Sequence, residues 1–246
     1  MVTVAPTSPR PSRPTRWRLS FDVACLIGEL SPNSPAVLVG HDWGAPVAWV
    51  TALTYPGKVR AVAGLSVPFV GIPQRSTNAI IDELYIRHGR FFYQHAFAQE
   101  GIVEAEMEKD TRVALRKLYY AWSGDAPEGV WPPDKRVGDP VLTGLPDPDP
   151  FPAWLSTADL DYLVGEFERS GFRGGLNRYR NHDRDFAFYQ KFAGQQIHQP
   201  SLFISGDRDF VRTMFGDRLH LLKAGLTDLA IGNPSRMWPL DPARTS

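Results

Sequence analysis

The sequence Gly40-His41-Asp42-Trp43-Gly44 places a carboxylate between two glycines. A Gly-x-nucleophile-x-Gly turn between a strand and a helix strains its central residue and presents that side chain to the site. The carboxylate of Asp42 is ionised at neutral pH, so it needs no base to attack a saturated carbon that bears a leaving group. The backbone N–H of Trp43 would lie at the helix N-terminus, where it could stabilise a developing oxyanion. We therefore predict that Asp42 is a nucleophile; the alternative is an ordinary glycine turn with a capping Asp.

The segments around this motif are those that such a turn requires. Residues 36–39 form a short β-branched run that predicts a strand buried on both faces, and a helix is predicted from Pro46 until Tyr55-Pro56-Gly57 ends it. Apolar spacing predicts an amphipathic helix over residues 20–30, and residues 59–67 read as a second buried strand. Strand, turn, helix and strand form a βαβ unit, so the fold class is α/β with a parallel sheet.

The domain organisation follows from changes in composition along the chain. Residues 74–195 carry helical patterns rich in aromatic and charged residues between proline-rich loops, which predicts an inserted helical subdomain in a core of residues 19–73 and 196–246. The sheet pattern returns once, at residues 200–206. Residues 1–18 contain four prolines, four arginines and no acid, and we predict a disordered tail there.

Composition narrows the possible partners. The 27 basic residues balance 27 acidic ones, which gives no electrostatic argument for nucleic acid or an anionic membrane. Cys25 is the single cysteine, so an internal disulfide is impossible, and a reducing cytoplasm fits. No apolar run approaches the roughly 18 residues of a membrane span. His182-Asp183 has no further ligand at useful spacing, so we predict neither a metal nor another cofactor.

The motif at Asp42 resembles that of the α/β-hydrolase epoxide hydrolases, and also that of the related haloalkane dehalogenases. Two segments of the insertion distinguish these families. The first is Phe91-Phe92-Tyr93-Gln94, together with residues 99–106 after it, and it is similar to the epoxide hydrolase segment that supplies the first cap tyrosine. The second is residues 175–181 around Tyr179, which are similar to the segment that supplies the second cap tyrosine. The resemblance implies an α/β-hydrolase fold in which residues 74–195 are the cap.

The resemblance also implies roles for individual side chains. Tyr93 and Tyr179 would hold the epoxide oxygen and protonate the leaving alkoxide, a step that a halide would not need. For a tyrosine in such an aromatic-rich region, the alternative is core packing. The substrate pocket is expected between core and cap, and the residues assigned to substrate or oxyanion binding are Trp43, Phe69, Phe91, Phe92 and Gln94.

Asp209 follows the last predicted strand, where the resemblance places the acid that orients a catalytic histidine. Asp207 is the nearby competitor, and a turn-capping Asp is the other interpretation. None of the six histidines occupies the matching place, and residues 226–238 contain none. The family's N-terminal strands and His-Gly-x-Pro loop have no counterpart before Ser20 either, so the resemblance covers residues 19–225 and suggests a truncated or frame-shifted copy. In such a chain the substrate would alkylate Asp42, but the resulting ester would be hydrolysed slowly.

The leading functional hypothesis is hydrolysis of a hydrophobic epoxide to a vicinal diol, with water as the second substrate. Haloalkane dehalogenation, with Trp43 as a halide donor, is the first alternative. The second is a noncatalytic remnant or binding protein that keeps the pocket. The sequence does not indicate the particular epoxide or the oligomeric state.

Overall fold

A computed structural model describes residues 16–215 and 220–232. In this part of the chain, four strands form one parallel sheet in the order β1-β2-β3-β4. The strands are β1 (Ala36–His41), β2 (Val59–Leu65), β3 (Ser201–Ile204) and β4 (Leu229–Gly232). The parallel sheet confirms the α/β prediction, with the helix Gly44–Thr54 as the crossover from β1 to β2.

The helices form two groups: those that lie beside the strands, and those of a long insertion between β2 and β3. Helices beside the strands are α1 (Arg16–Leu30), α2 (Gly44–Thr54), α10 (Phe210–Phe215) and α11 (Leu222–Gly225). The insertion between β2 and β3 contains α3 (Thr77–Leu84), α4 (Tyr93–Ala98), α5 (Ile102–Met107), α6 (Thr111–Trp122), α7 (Thr157–Ser170), α8 (Arg173–Leu176) and α9 (His182–Tyr189). Four short 3₁₀ turns complete the described elements: Pro56–Lys58, Ile86–His88, Tyr179–Asn181 and Gln190–Phe192.

The core of the sheet is built around Trp49 of α2, which is fully buried. A Cβ atom on Gly64 of β2 would lie 2.2 Å from the Trp49 ring, so only glycine lets the helix approach the strand this closely. The Trp49 indole donates a hydrogen bond to the Val67 carbonyl at 3.1 Å. This contact fixes α2, and therefore the turn that precedes it, against the end of β2.

The insertion has its own hydrophobic core, and it also contains a buried ion pair. Arg180 and Glu104 lie 2.6 Å apart with side chains 1% and 9% exposed. The Arg180 guanidinium also donates to the carbonyls of Ala98 and Gln99, at the end of α4. Because buried charges are costly unless they are paired, these bonds hold the 3₁₀ turn at Tyr179–Asn181 firmly against α4.

Several predicted boundaries differ from the structure. The predicted tail reached residue 18, but α1 begins at Arg16; residues 1–15 lie outside the described residues. The strand predicted to run to Val67 ends at Leu65, because Ser66 turns the chain with φ 70°. The short strand β4 was not predicted, since it has only four residues and no alternating pattern.

The prediction that β1 is buried on both faces is wrong for this part of the chain. Val37 and Val39 are 47% and 69% exposed, because β1 is the edge strand of the described sheet and none of the described elements covers these side chains. Within the described ranges, no helix is both long and apolar enough to span a membrane.

Candidate active site

Asp42 occupies a strained turn at the carboxyl end of β1. Its φ of 47° is in the left-handed region, which is uncommon for a residue other than glycine. The Asp42 N–H donates to the Leu65 carbonyl of β2 at 3.2 Å, and the Ala45 N–H donates to the Asp42 carbonyl at 3.0 Å. Trp43 is the N-cap residue of α2. The backbone on both sides therefore holds this conformation, and the Asp42 side chain remains exposed.

The two glycines of the motif have different steric roles. A Cβ atom on Gly40 would lie 2.2 Å from the Gly44 carbonyl oxygen and 2.7 Å from the Ala45 nitrogen. A Cβ atom on Gly44 would meet nothing within 4 Å. The turn therefore requires glycine at position 40 only.

Gly40→Ala is expected to lower the free energy of unfolding by about 1–3 kcal/mol or more, because backbone atoms of α2 would have to move. Gly44→Ala is the matched control and should have no destabilising effect, since alanine favours a helix by up to about 1 kcal/mol over glycine. Urea unfolding followed by circular dichroism measures both. Equal midpoints for the two variants would contradict the close contact.

Tyr93 and Tyr179 come from different parts of the insertion and meet beside the turn. Their ring centroids are 6.0 Å apart, and the Tyr179 ring lies edge-on to Trp43 at 5.0 Å. Burial, and to a smaller extent the charge of Asp42, raise the pKa of Tyr93 to about 12, while the hydrogen bond from Gln94 acts in the opposite direction. The structure thus brings Asp42 and both tyrosines together.

Tyr179 is half-buried, and its hydroxyl is also shielded from water. Burial raises its pKa well above the usual value, the neighbouring Tyr93 and Asp42 add to this, and a hydrogen bond from the Trp43 side chain opposes it. Both phenols are therefore neutral at physiological pH and retain a proton to donate. That state is the one needed by an acid that protonates a leaving oxygen.

Gln94, which follows Tyr93 on α4, contacts the tyrosine hydroxyl. Its Nε2 donates to the Tyr93 Oη at 2.9 Å. Its Oε1 is buried and accepts no hydrogen bond from the described residues. The predicted binding residue thus has a well-defined polar contact with the predicted acid.

The remaining residues assigned to the pocket do not share one cavity. Phe91 and Phe92 line a cavity of about 310 Å³ together with Tyr93. Trp43 lines a separate groove of about 470 Å³ between α1 and β1. Phe69, predicted to line the pocket, is instead 8% exposed and packs in the sheet core with its ring centroid 6.4 Å from that of Trp49. The position of Phe69 just beyond β2 directs it into the core.

Asp209 lies beyond β3, at the same edge of the sheet as Asp42. The Val211 N–H donates to its Oδ1 at 2.8 Å and the Ser205 hydroxyl to its Oδ2 at 3.4 Å. Asp207 is exposed and pairs with Arg212 at 3.4 Å. With β2 between their strands, Asp42 and Asp209 are separated by about 10 Å of sheet width. Asp209 is therefore the more enclosed acid, while its contacts also fit the turn-capping interpretation.

His182 is a neighbour of the site that sequence reasoning missed. It is 4% exposed, and its ring stacks on Trp43 at 5.8 Å and lies 6.5 Å from Tyr179. The usable signal was its spacing, three residues after Tyr179 in a helical segment. Among the described residues, no three His, Cys, Asp or Glu side chains are grouped as metal ligands would be.

Comparisons with known proteins place this geometry in a family. A family model described as the alpha/beta hydrolase fold matches residues 5–102. Epoxide hydrolase A of Mycobacterium tuberculosis is 38% identical over 200 residues, which are 80% of this chain and 60% of that protein. The crystal structure of epoxide hydrolase A from Mycobacterium thermoresistibile superposes with a TM-score of 0.78 at 32% identity, covering 89% of this chain and 68% of that one. An epoxide hydrolase from an endophytic Streptomyces gives a TM-score of 0.79 at 33% identity, covering 92% and 70%.

The fold is thus that of the α/β hydrolases, as the resemblance implied. The chain belongs to the epoxide hydrolase family of that fold. It spans between 60% and 65% of the length of the first curated relatives that it matches.

Proposed function

We propose that this chain opens a hydrophobic epoxide through a covalent ester on Asp42, with water completing a vicinal diol. The observation that carries the proposal is the pair formed by the buried Tyr93 and the half-buried Tyr179, whose ring centroids lie 6.0 Å apart and whose pKa values are both raised in part by the charge of Asp42. In this proposal the turn at Asp42 is a nucleophile elbow, and residues 74–195 are a cap that supplies the acids. The relatives named as epoxide hydrolases support the same reaction.

The first half of the reaction follows from these groups. A carboxylate oxygen of Asp42 forms a bond to one epoxide carbon, and the bond from that carbon to the epoxide oxygen breaks. The departing oxygen takes its proton from Tyr93 or Tyr179, which leaves a hydroxyalkyl ester and a phenolate. In ester hydrolysis a water oxygen bonds to the ester carbonyl carbon, the bond from that carbon to the alkyl oxygen breaks, and the protons of water complete the diol and restore the phenol, which returns the Asp42 carboxylate. The backbone N–H of Trp43, at the start of α2, is suited to stabilise the negative charge that develops in this step.

The second half of the reaction needs a base, for which the sequence suggests no histidine in the matching place. We propose Asp209 as an orienting residue at the same edge of the sheet. Phe91 and Phe92 would contribute apolar surface for the substrate, since they line a cavity that includes Tyr93. The cytoplasm remains the proposed location, on the basis of the single cysteine.

Haloalkane dehalogenation is less well supported because of the Trp43 side chain. As a halide donor, its indole N–H would need to point at the leaving group, but it donates to the Tyr179 hydroxyl. An indole has only one N–H. The tyrosines themselves suit an oxygen leaving group, which needs a proton, better than a halide, which does not.

The test compares two substrates on the wild-type chain. With styrene oxide we expect an ester adduct or the diol, detected by intact-protein mass spectrometry and chromatography. With a chloroalkane of similar size we expect no enzymatic release of chloride. Chloride release without any reaction of styrene oxide would overturn the proposal in favour of dehalogenation.

A further inference from the structure

The Tyr93 hydroxyl is held from one side by a neutral donor. Gln94 Nε2 donates to it at 2.9 Å, and this is the polar contact that the described residues make with the hydroxyl. A phenol has one proton to donate and lone pairs to accept with. An amide N–H that occupies the acceptor side leaves the tyrosine proton to point elsewhere.

The surroundings of Tyr93 limit where that proton can go. The ring is packed against aromatic neighbours, with centroids 5.5 Å away at Phe97 and 5.9 Å away at both Trp122 and Phe210. Phenylalanine has no hydrogen-bonding atom and an indole N–H only donates, so these side chains offer no strong acceptor. The charge of Asp42 and the Tyr179 ring mark the reacting side of Tyr93.

The unused oxygen of Gln94 indicates what this residue is for. Its Oε1 is buried without a partner among the described residues. A buried acceptor without a partner is costly, so the donor of Gln94, and not its acceptor, is the group that serves this site. Had the amide been turned the other way, Oε1 would accept the Tyr93 proton and remove it from the reaction.

We propose that Gln94 is a positioning residue, which donates to the Tyr93 oxygen and thereby directs the tyrosine proton towards the epoxide oxygen. This role rests on the proposed function, in which Tyr93 is an acid. Tyr179 has the same arrangement, since its hydroxyl accepts from the Trp43 side chain. Each acid thus has a neutral N–H donor that fixes its orientation and stabilises the phenolate left after proton transfer.

The hydrogen bond can be tested without any substrate. In ¹⁵N-labelled full-length chain, the side-chain amide signal of Gln94 is identified by its loss in Gln94→Glu. Tyr93→Phe keeps the ring and removes only the oxygen, so it should shift this signal. An amide signal that is unchanged by Tyr93→Phe overturns the positioning role, whatever the chain does to epoxides.

The functional consequence is tested by the rate at which styrene oxide forms the Asp42 adduct. Gln94→Leu should slow the adduct about 3- to 10-fold, the value of one neutral hydrogen bond. Gln99→Leu makes the same change at an exposed position five residues later and should leave the rate as in wild type. Equal rates for Gln94→Leu and wild type overturn the role.

Gln94→Glu provides a signature that a packing role would not give. The carboxylate that this substitution introduces would accept the Tyr93 proton when ionised, whereas its protonated form can donate to Tyr93 as the amide does. The rate of this variant relative to wild type should therefore rise as pH is lowered towards the pKa of the new carboxyl group, which is ordinarily about 4.3 for a glutamate and is raised by burial. A ratio of the Gln94→Glu rate to the wild-type rate that does not change with pH overturns the proposal.

Absence of any Asp42-dependent adduct in wild type is a different result, because it overturns the proposed function and the positioning role with it.

Discussion

Wild-type chain incubated with styrene oxide is expected to gain the mass of one epoxide molecule, and Asp42→Asn is expected to gain none. The carboxylate is exposed at a turn with φ 47°, between a strand and a helix, and it is the charged group beside both tyrosines. An amide is a far poorer nucleophile than a carboxylate. Asparagine also tolerates the left-handed conformation, so the loss of reaction cannot be attributed to a collapsed turn.

The adduct also reports on the second half of the reaction. Added mass that persists over many multiples of the time in which it forms indicates a slowly hydrolysed ester, whereas added mass that disappears as diol accumulates indicates turnover. Peptide mapping should place it on the tryptic peptide that contains Asp42. Asp161→Asn, which replaces an exposed carboxylate of α7 that pairs with Arg112, is the matched control and should react as wild type does. An adduct that survives Asp42→Asn would show that the nucleophile is elsewhere.

Local sequence patterns predicted the central part of the fold. The strand before Asp42, the helix after it and the second strand appear in the structure as β1, α2 and β2. These elements are adjacent in sequence, and periodicity and turn residues specify them directly. The existence of β4 depends instead on pairing with β3, a distant strand, which local patterns do not contain.

The candidate site shows the same division between local and long-range information. Gly40 and the strain at Asp42 could be predicted because the motif itself requires them. The burial of Phe69 in the sheet core and the stacking of His182 on Trp43 could not, since both result from contacts between segments far apart in sequence. The prediction that β1 is buried on both faces was wrong for the same reason, because a short apolar run does not show which faces of a strand other elements cover.

Removal of both tyrosine hydroxyls should have the second largest effect on the reaction. Tyr93→Phe and Tyr179→Phe together are expected to slow adduct formation by roughly 10² to 10⁴-fold, the usual contribution of general acid catalysis. Phenylalanine preserves the ring contacts, including the 5.0 Å contact of Tyr179 with Phe97, so the fold should be retained. Each single variant should fall between wild type and the double variant, because either phenol can supply a proton.

A reactive alkyl iodide separates acid catalysis from damage to the nucleophile. Iodide leaves without a proton, so its rate of labelling at Asp42 should be within about twofold in wild type and the double variant. Equal losses with both reagents would show that the tyrosines support the site rather than act as acids.

Alkaline pH gives a second test of the acid. Because burial raises the pKa of Tyr93 to about 12, the neutral acid persists, and the rate of reaction with the epoxide should not decline between about pH 7 and pH 10. A decline centred near the ordinary tyrosine pKa of about 10 would mean that the acid is an exposed phenol, which is incompatible with the buried Tyr93 and the half-buried Tyr179 that the structure places beside Asp42.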